Sequence, residues 1–137
     1  MRVRVFLTAA LVAVAGSAMA ADVSMKVVMA DFVNPGALAF WAGGNDPPDG
    51  ETPAAAKARW AEALKGAQAM QAKGKIIQSG PYTRSGRWNE YAKMMVDISA
   101  EGEAAAKAQN AEKAFEIGGR LYDSCNGCHK TYVPRRE

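Results

Sequence analysis

Residues 110–134 read NAEKAFEIGGRLYDSCNGCHKTYVP, and the periodicity of this stretch decides the fold class. Ala114, Ile117, Leu121, Cys125 and Cys128 recur at intervals of three or four, the spacing that gathers side chains on one face of an α-helix. Phe115, Gly118, Tyr122, Cys125 and His129 form a second stripe beside the first. Asn110 offers the side-chain oxygen of a helix cap, and Pro134 ends the segment because the residue before a proline avoids the helical region. So broad an apolar face needs more than one neighbouring helix to cover it.

Three upstream segments share the same period. Over residues 23–41, Met25, Met29, Phe32, Gly36 and Phe40 fall on one face. Pro35 interrupts them: it has no N–H for the carbonyl of Asp31 and its ring crowds that turn, which predicts a kink or a restart with Asn34 as cap. Residues 43–52, GGNDPPDGET, are a loop. Thr52 and Pro53 start a second helix whose stripe is Trp60, Leu64, Ala67 and Met70 and which stops near Gly74. The connector 75–87 contains the turn pairs Gly80-Pro81 and Ser85-Gly86 and tucks Ile76 and Ile77 against the helices. A third helix presents Trp88, Tyr91, Met95, Ile98, Ala105 and Ala108, with Gly102 weakening its middle. Lys and Glu scattered among many alanines, with no sustained alternation of β-branched and aromatic residues, make the expected fold all-α.

The first twenty residues of the 137 stand apart, with Arg2 and Arg4, no acid, an apolar run from Val5 to Ala15 and the small-residue ending Ala18-Met19-Ala20. That is the pattern of a secretory signal peptide, so one exported domain is expected over residues 21–137; the periplasm is the expected location, although the signal alone does not distinguish it from the outside. Without Arg2 and Arg4 the chain has 15 basic and 14 acidic residues, a net charge of +1. Such a surface has no basic field for nucleic acid or anionic lipid, and no later run approaches the roughly eighteen apolar residues of a membrane span.

Cys125-Asn126-Gly127-Cys128-His129 carries the chemistry. A disulfide between cysteines so close would stabilise little on loop-entropy grounds. The spacing is the attachment signature of c-type haem: each thiol adds to a vinyl group as a thioether, and the neighbouring imidazole supplies an axial nitrogen to iron. On a helix the three side chains project from one face toward the same macrocycle. A structural zinc site needs four Cys or His ligands, whereas the chain has two cysteines and one histidine. A thioredoxin-like redox motif belongs at a strand-to-helix turn, not at the end of an all-helical chain.

His129 is the only histidine, so one chain cannot supply two imidazoles to the same iron, and the sixth position falls to Met, Lys, the amino terminus, water or nothing. Five methionines follow the signal: Met25, Met29, Met70, Met94 and Met95. In an up-down-up-down bundle, His129 lies about one turn from the end of its helix and faces a level about one turn into the first. That selects Met29 as the candidate sixth ligand, with Met25 second, against the alternative that Met29 only fills the core.

A helical exported chain whose last helix carries Tyr122-(x2)-Cys125-(x2)-Cys128-His129-(x2)-Tyr132 resembles the class II c-type cytochromes, the group of cytochrome c prime and its low-spin, Met-ligated relatives. The likeness spans nearly the whole exported chain, though only the C-terminal motif is sharp. Residues 27–41, VVMADFVNPGALAFW, are similar to a subgroup in which a methionine precedes a proline and a tryptophan closes the segment. The resemblance implies an antiparallel four-helix bundle with covalently attached haem c between helices near one end, and often a homodimer through the first two helices. Val133 departs from it, standing where the cytochrome c prime branch commonly has a basic residue.

Two functions follow. One is electron transfer with redox partner proteins, His129 and Met29 being the axial ligands and the thioether sulfur favouring reduced iron. The other is a five-coordinate haem that binds nitric oxide or carbon monoxide, with Met29 packed but not ligating. Phe32 and Met25, with Trp60 or Trp88, would then line the distal side. Tyr122 and Tyr132 are within reach of a haem propionate, though burial with a satisfied hydroxyl is the simpler expectation for both. No enzyme is predicted: Asp31, the acid at the distal level, reads as a solvated helix-boundary residue.

Overall fold

Thr52 Oγ1 accepts the N–H of Ala55 at 3.2 Å and Asn110 Oδ1 accepts that of Lys113 at 2.9 Å, so two helices start at their predicted caps. The computed structural model describes residues 23–133; the expected signal peptide, residues 1–20, lies outside them. Helix α1 covers residues 25–44 in three pieces: an α-turn Met25–Val27, a π-helical segment Val28–Val33 and an α-helix Asn34–Gly44. Helix α2 is Pro53–Ile76, α3 is Trp88–Lys107 and α4 is Ala111–Tyr132. A 3-10 turn, Gly80–Tyr82, lies in the connector between α2 and α3. Among the described residues there is no strand, and the four helices pack against one another. None of them is long and apolar enough to cross a membrane.

Phe40, Met70, Ile117 and Leu121, from α1, α2 and α4, are among the largest fully buried side chains. Each contributes about 1.5–3 kcal/mol by leaving water. The backbones of α1 and α2 approach closely, and a Cβ built on Gly66 would stand 2.3 Å from the carbonyl oxygen of Gly36. Gly43 lies against Trp60 and Ala63 farther along the same pair. Gly102 is more than a weak point in α3: a Cβ there would meet the Phe40 ring at 2.9 Å, so its bare backbone seats the central aromatic of the core.

Arg59 closes the exposed end of α1. Its Nη1 donates to the carbonyls of Ala42 and Gly43, and its Nε and Nη2 grip the Glu51 carboxylate at 2.7 and 2.9 Å. Terminal carbonyls that lack a helical partner are thereby satisfied, and the loop before α2 is tied to the helix it follows.

The first helix departs from expectation. Asn34 is not a cap: its backbone is helical and its N–H donates to the carbonyl of Met29, five residues back. The chain passes Pro35 by widening the preceding turn, so α1 neither restarts nor breaks there. Met25, Met29, Phe32, Gly36 and Phe40 consequently do not share one face. Gly36 and Phe40 are buried, while Phe32 is exposed beneath the Lys73 ammonium, 3.8 Å from its ring centroid. Ile77 tucks into the core as expected and Ile76 stays exposed.

Candidate functional site

The last three turns of α4 open on a cavity of about 360 Å³ whose walls are largely apolar. Cys125, Cys128 and His129 line it from α4, Tyr91, Ala92 and Met95 from α3, Met29, Val33, Ala37 and Trp41 from α1, and Ile77 closes one side. The volume falls within the ~300–1,000 Å³ of small-molecule and cofactor sites. Met29, Val33, Ala37 and Trp41 are spaced by four, a stripe running through the π segment and into the α-helix.

Leu121, one turn before the motif, and Ser124, directly before it, are buried and hold this part of α4 on the core. Beyond it, Tyr132 Oη donates to the Ser85 carbonyl at 2.6 Å, and its ring stands edge-on to Trp88 with centroids 5.0 Å apart. These contacts fix the motif turn from both sides. Gly127, between the cysteines, lets Tyr91 lie on the helix; a Cβ there would come within 2.9 Å of the tyrosine ring. Trp41 is held in the α1 wall by its Nε1–H, which donates to the Gly118 carbonyl of α4 at 3.0 Å.

Both thiols are partly buried and are not bridged to each other. Burial pushes the Cys125 thiol above its ordinary value; it does the same to Cys128, reinforced by the charge that Cys125 would carry. Both therefore stay protonated at neutral pH. A cysteine built for disulfide exchange has its thiolate stabilised, so a thioredoxin-like role does not suit this site. Nor do three His, Cys, Asp or Glu side chains converge to hold a bare ion anywhere among the described residues. Two protonated thiols and an imidazole spread along one helical turn, facing an apolar slot, do suit a flat macrocycle linked at its edge and ligated at its centre.

Of the residues singled out from sequence, Met29, Tyr122, Cys125, Cys128 and His129 meet at this cavity and Phe32 does not. The widened turn of α1 turns Phe32 outward. Met25 is half-buried elsewhere, and Trp60 and Trp88 belong to the core. Tyr122 is 58% exposed at the cavity rim, its ring 6.4 Å from that of Trp41. Among the other methionines, Met70 is wholly buried and Met94 exposed. Met95 does reach the cavity, but its methyl end lies toward Gly74 of α2, at 3.2 Å from where a Cβ on that glycine would stand. Met29, half-buried against the core, is thus the thioether that lines the cavity from α1.

Sequence reasoning missed Val33, Ala37, Trp41, Tyr91 and Ala92 as cavity residues. The four-residue step from Met29 to Trp41 was the available signal. Comparison with protein families, with characterised proteins and with solved structures finds no match for this chain.

Proposed function

We propose that the protein is an exported c-type cytochrome of the class II kind, an electron carrier that holds one haem c in the cavity between α1, α3 and α4. One observation carries this reading: Cys125, Cys128 and His129 line a largely apolar cavity that Met29 lines from α1. When bound, the haem supplies an iron that changes oxidation state by one electron. Cys125 and Cys128 would anchor it through sulfur, and His129 of α4 and Met29 of α1 are the residues that would hold its iron.

The cavity wall excludes water and keeps the surroundings of the metal of low polarity, and the thioether favours the reduced state. Val33, Ala37, Ala92 and Met95 supply that wall, while Trp41 and Tyr91 supply rigid rings whose positions are set by Gly118 and Gly127. An antiparallel bundle is part of the proposal. What supports it is the order of contacts: Gly36 meets Gly66 and Gly43 meets Ala63, while Trp41 meets Gly118 and Gly44 meets Ala114, numbers falling on one helix as they rise on the other. Export to the periplasm, redox protein partners and self-association through the first two helices belong to the same reading.

Absorption spectra of the haem-loaded protein, oxidised, reduced and under carbon monoxide, test it. The reduced protein is expected to be low-spin and indifferent to carbon monoxide, and Met29→Ala to abolish both properties. A wild-type spectrum that is high-spin and shifts with carbon monoxide would instead mark a five-coordinate, gas-binding protein. An unchanged spectrum in Met29→Ala would remove Met29 from the ligand set.

A further inference from the structure

The segment that carries Met29 is the irregular part of the fold. Val28–Val33 is π-helical, and the Asn34 N–H reaches back five residues to the Met29 carbonyl. An α-helix advances about 100° per residue, and a turn closed by five-residue steps is wider, so over the segment the rotation lags by about one residue, on the order of 100°. On a continuous α-helix Met29 would fall on the face of Gly36 and Phe40, whose neighbours are Gly66 of α2 and Gly102 of α3. Instead it shares the cavity with Val33, Ala37 and Trp41.

Val28 reports the same displacement. A continuous helix would place it above Pro35, seven residues on and exposed, yet Val28 is only 2% exposed and belongs to the core. The cause lies just beyond the segment. Pro35 can neither donate to the Asp31 carbonyl nor let that carbonyl keep its α-helical position.

We propose that Pro35 is a positioning residue for the cofactor site: by holding the Val28–Val33 turn open, it sets the register that directs Met29 into the cavity instead of toward α2. This rests on the reading of Met29 as an iron ligand, and three variants separate the two. Pro35→Ala restores the missing donor, lets α1 run as a regular helix and turns Met29 away. Deletion of Ala30, which is exposed, with Pro35 kept, removes one residue from the widened segment and turns Met29 by a similar amount. The two changes together cancel, because a regular helix one residue shorter returns Met29 to the cavity face.

The haem-loaded proteins are compared by their spectra, with far-UV circular dichroism as the check on folding. Each single change is expected to lose the low-spin signature and to respond to carbon monoxide, and the double change to regain the parent behaviour. A Pro35→Ala or Ala30-deleted protein that stays low-spin, or a double variant that stays high-spin, would overturn the proposal. Should Pro35→Ala fail to fold, the deletion alone decides it. Met29→Ala tests ligation separately: if it alone changes the spectrum, the register assignment fails while the ligand stands. Nuclear Overhauser contacts of a ¹³C-labelled Met29 methyl read the register whatever the iron does. They are expected toward the α4 wall in the parent and toward Met70 in Pro35→Ala, and contacts that do not change would equally overturn it.

Discussion

Gly118 and Gly119 are adjacent on α4, yet the same substitution should act on them with opposite sign. Either glycine replaced by alanine gains about 0.8–1 kcal/mol of helix propensity. At Gly119 nothing lies within 4 Å of the added methyl, so that gain should appear undiminished. At Gly118 the methyl would stand 2.8 Å from Trp41 Cδ1 and 3.2 Å from its Nε1, inside normal contact distance of a rigid ring. The indole cannot simply step aside, because its N–H is bonded to the Gly118 carbonyl at 3.0 Å. Overpacking of this kind costs about 1–3 kcal/mol and a strained or lost hydrogen bond about 0.5–1.5 kcal/mol. Once the propensity gain is subtracted, Gly118→Ala should be less stable than the parent by about 0.5–3.7 kcal/mol. Urea unfolding of the haem-loaded protein, followed by far-UV circular dichroism, measures both variants against the parent. Stabilisation by Gly118→Ala equal to that by Gly119→Ala would refute the packing of Trp41 on α4, and with it the placement of this wall of the cavity.

Leu121 is fully buried one turn before the motif, so Leu121→Ala should cost about 2–5 kcal/mol in the same unfolding assay while leaving haem attachment intact. The Arg59 guanidinium holds the Glu51 carboxyl below its usual value, and Arg120 and Lys107 do the same for Glu101 and Glu103. For groups whose value is depressed on folding, the unfolded chain takes up more protons on acidification. Their contribution is therefore full above the ordinary glutamate value of about 4.3 and is lost as the pH falls through the folded values. Stability measured against pH should decline across that acid range, and Glu51→Gln should flatten the decline, whereas an identical slope would show that the Arg59 pair is not made in solution.

Much of the architecture is legible in the sequence because its signals are local. Thr52-Pro53 and Asn110 mark helix starts by their own side-chain chemistry, and the Ala114–Leu121 stripe turns its buried face inward at the ordinary helical interval. The Cys125–His129 spacing is local in the same way, and the proposed haem chemistry is read from it together with its helical context. Phe32 and Gly102 were misjudged for a different reason. Hydrophobic periodicity assumes a constant rotation per residue, and Pro35 signals a disturbance without saying whether the helix will break, kink or widen. Gly102 looked like a defect because its purpose, room for Phe40, belongs to another helix. Trp41 and Tyr91 were hidden in the same way, since each is a good core residue by pattern and reaches the cavity only through glycines on α4. The second stripe of α4 is apolar enough to predict a covering helix along its length, yet Phe115 and Tyr122 remain exposed on it and Trp41 packs only at the Gly118 position.

Covalent attachment of haem through Cys125 and Cys128 is the claim on which the proposed function depends, and the mass of the chain purified from a host able to mature c-type cytochromes tests it most directly. One haem per chain should survive denaturation, with neither cysteine open to alkylation. A chain at its bare polypeptide mass, its two sulfurs free or joined to each other, would contradict it.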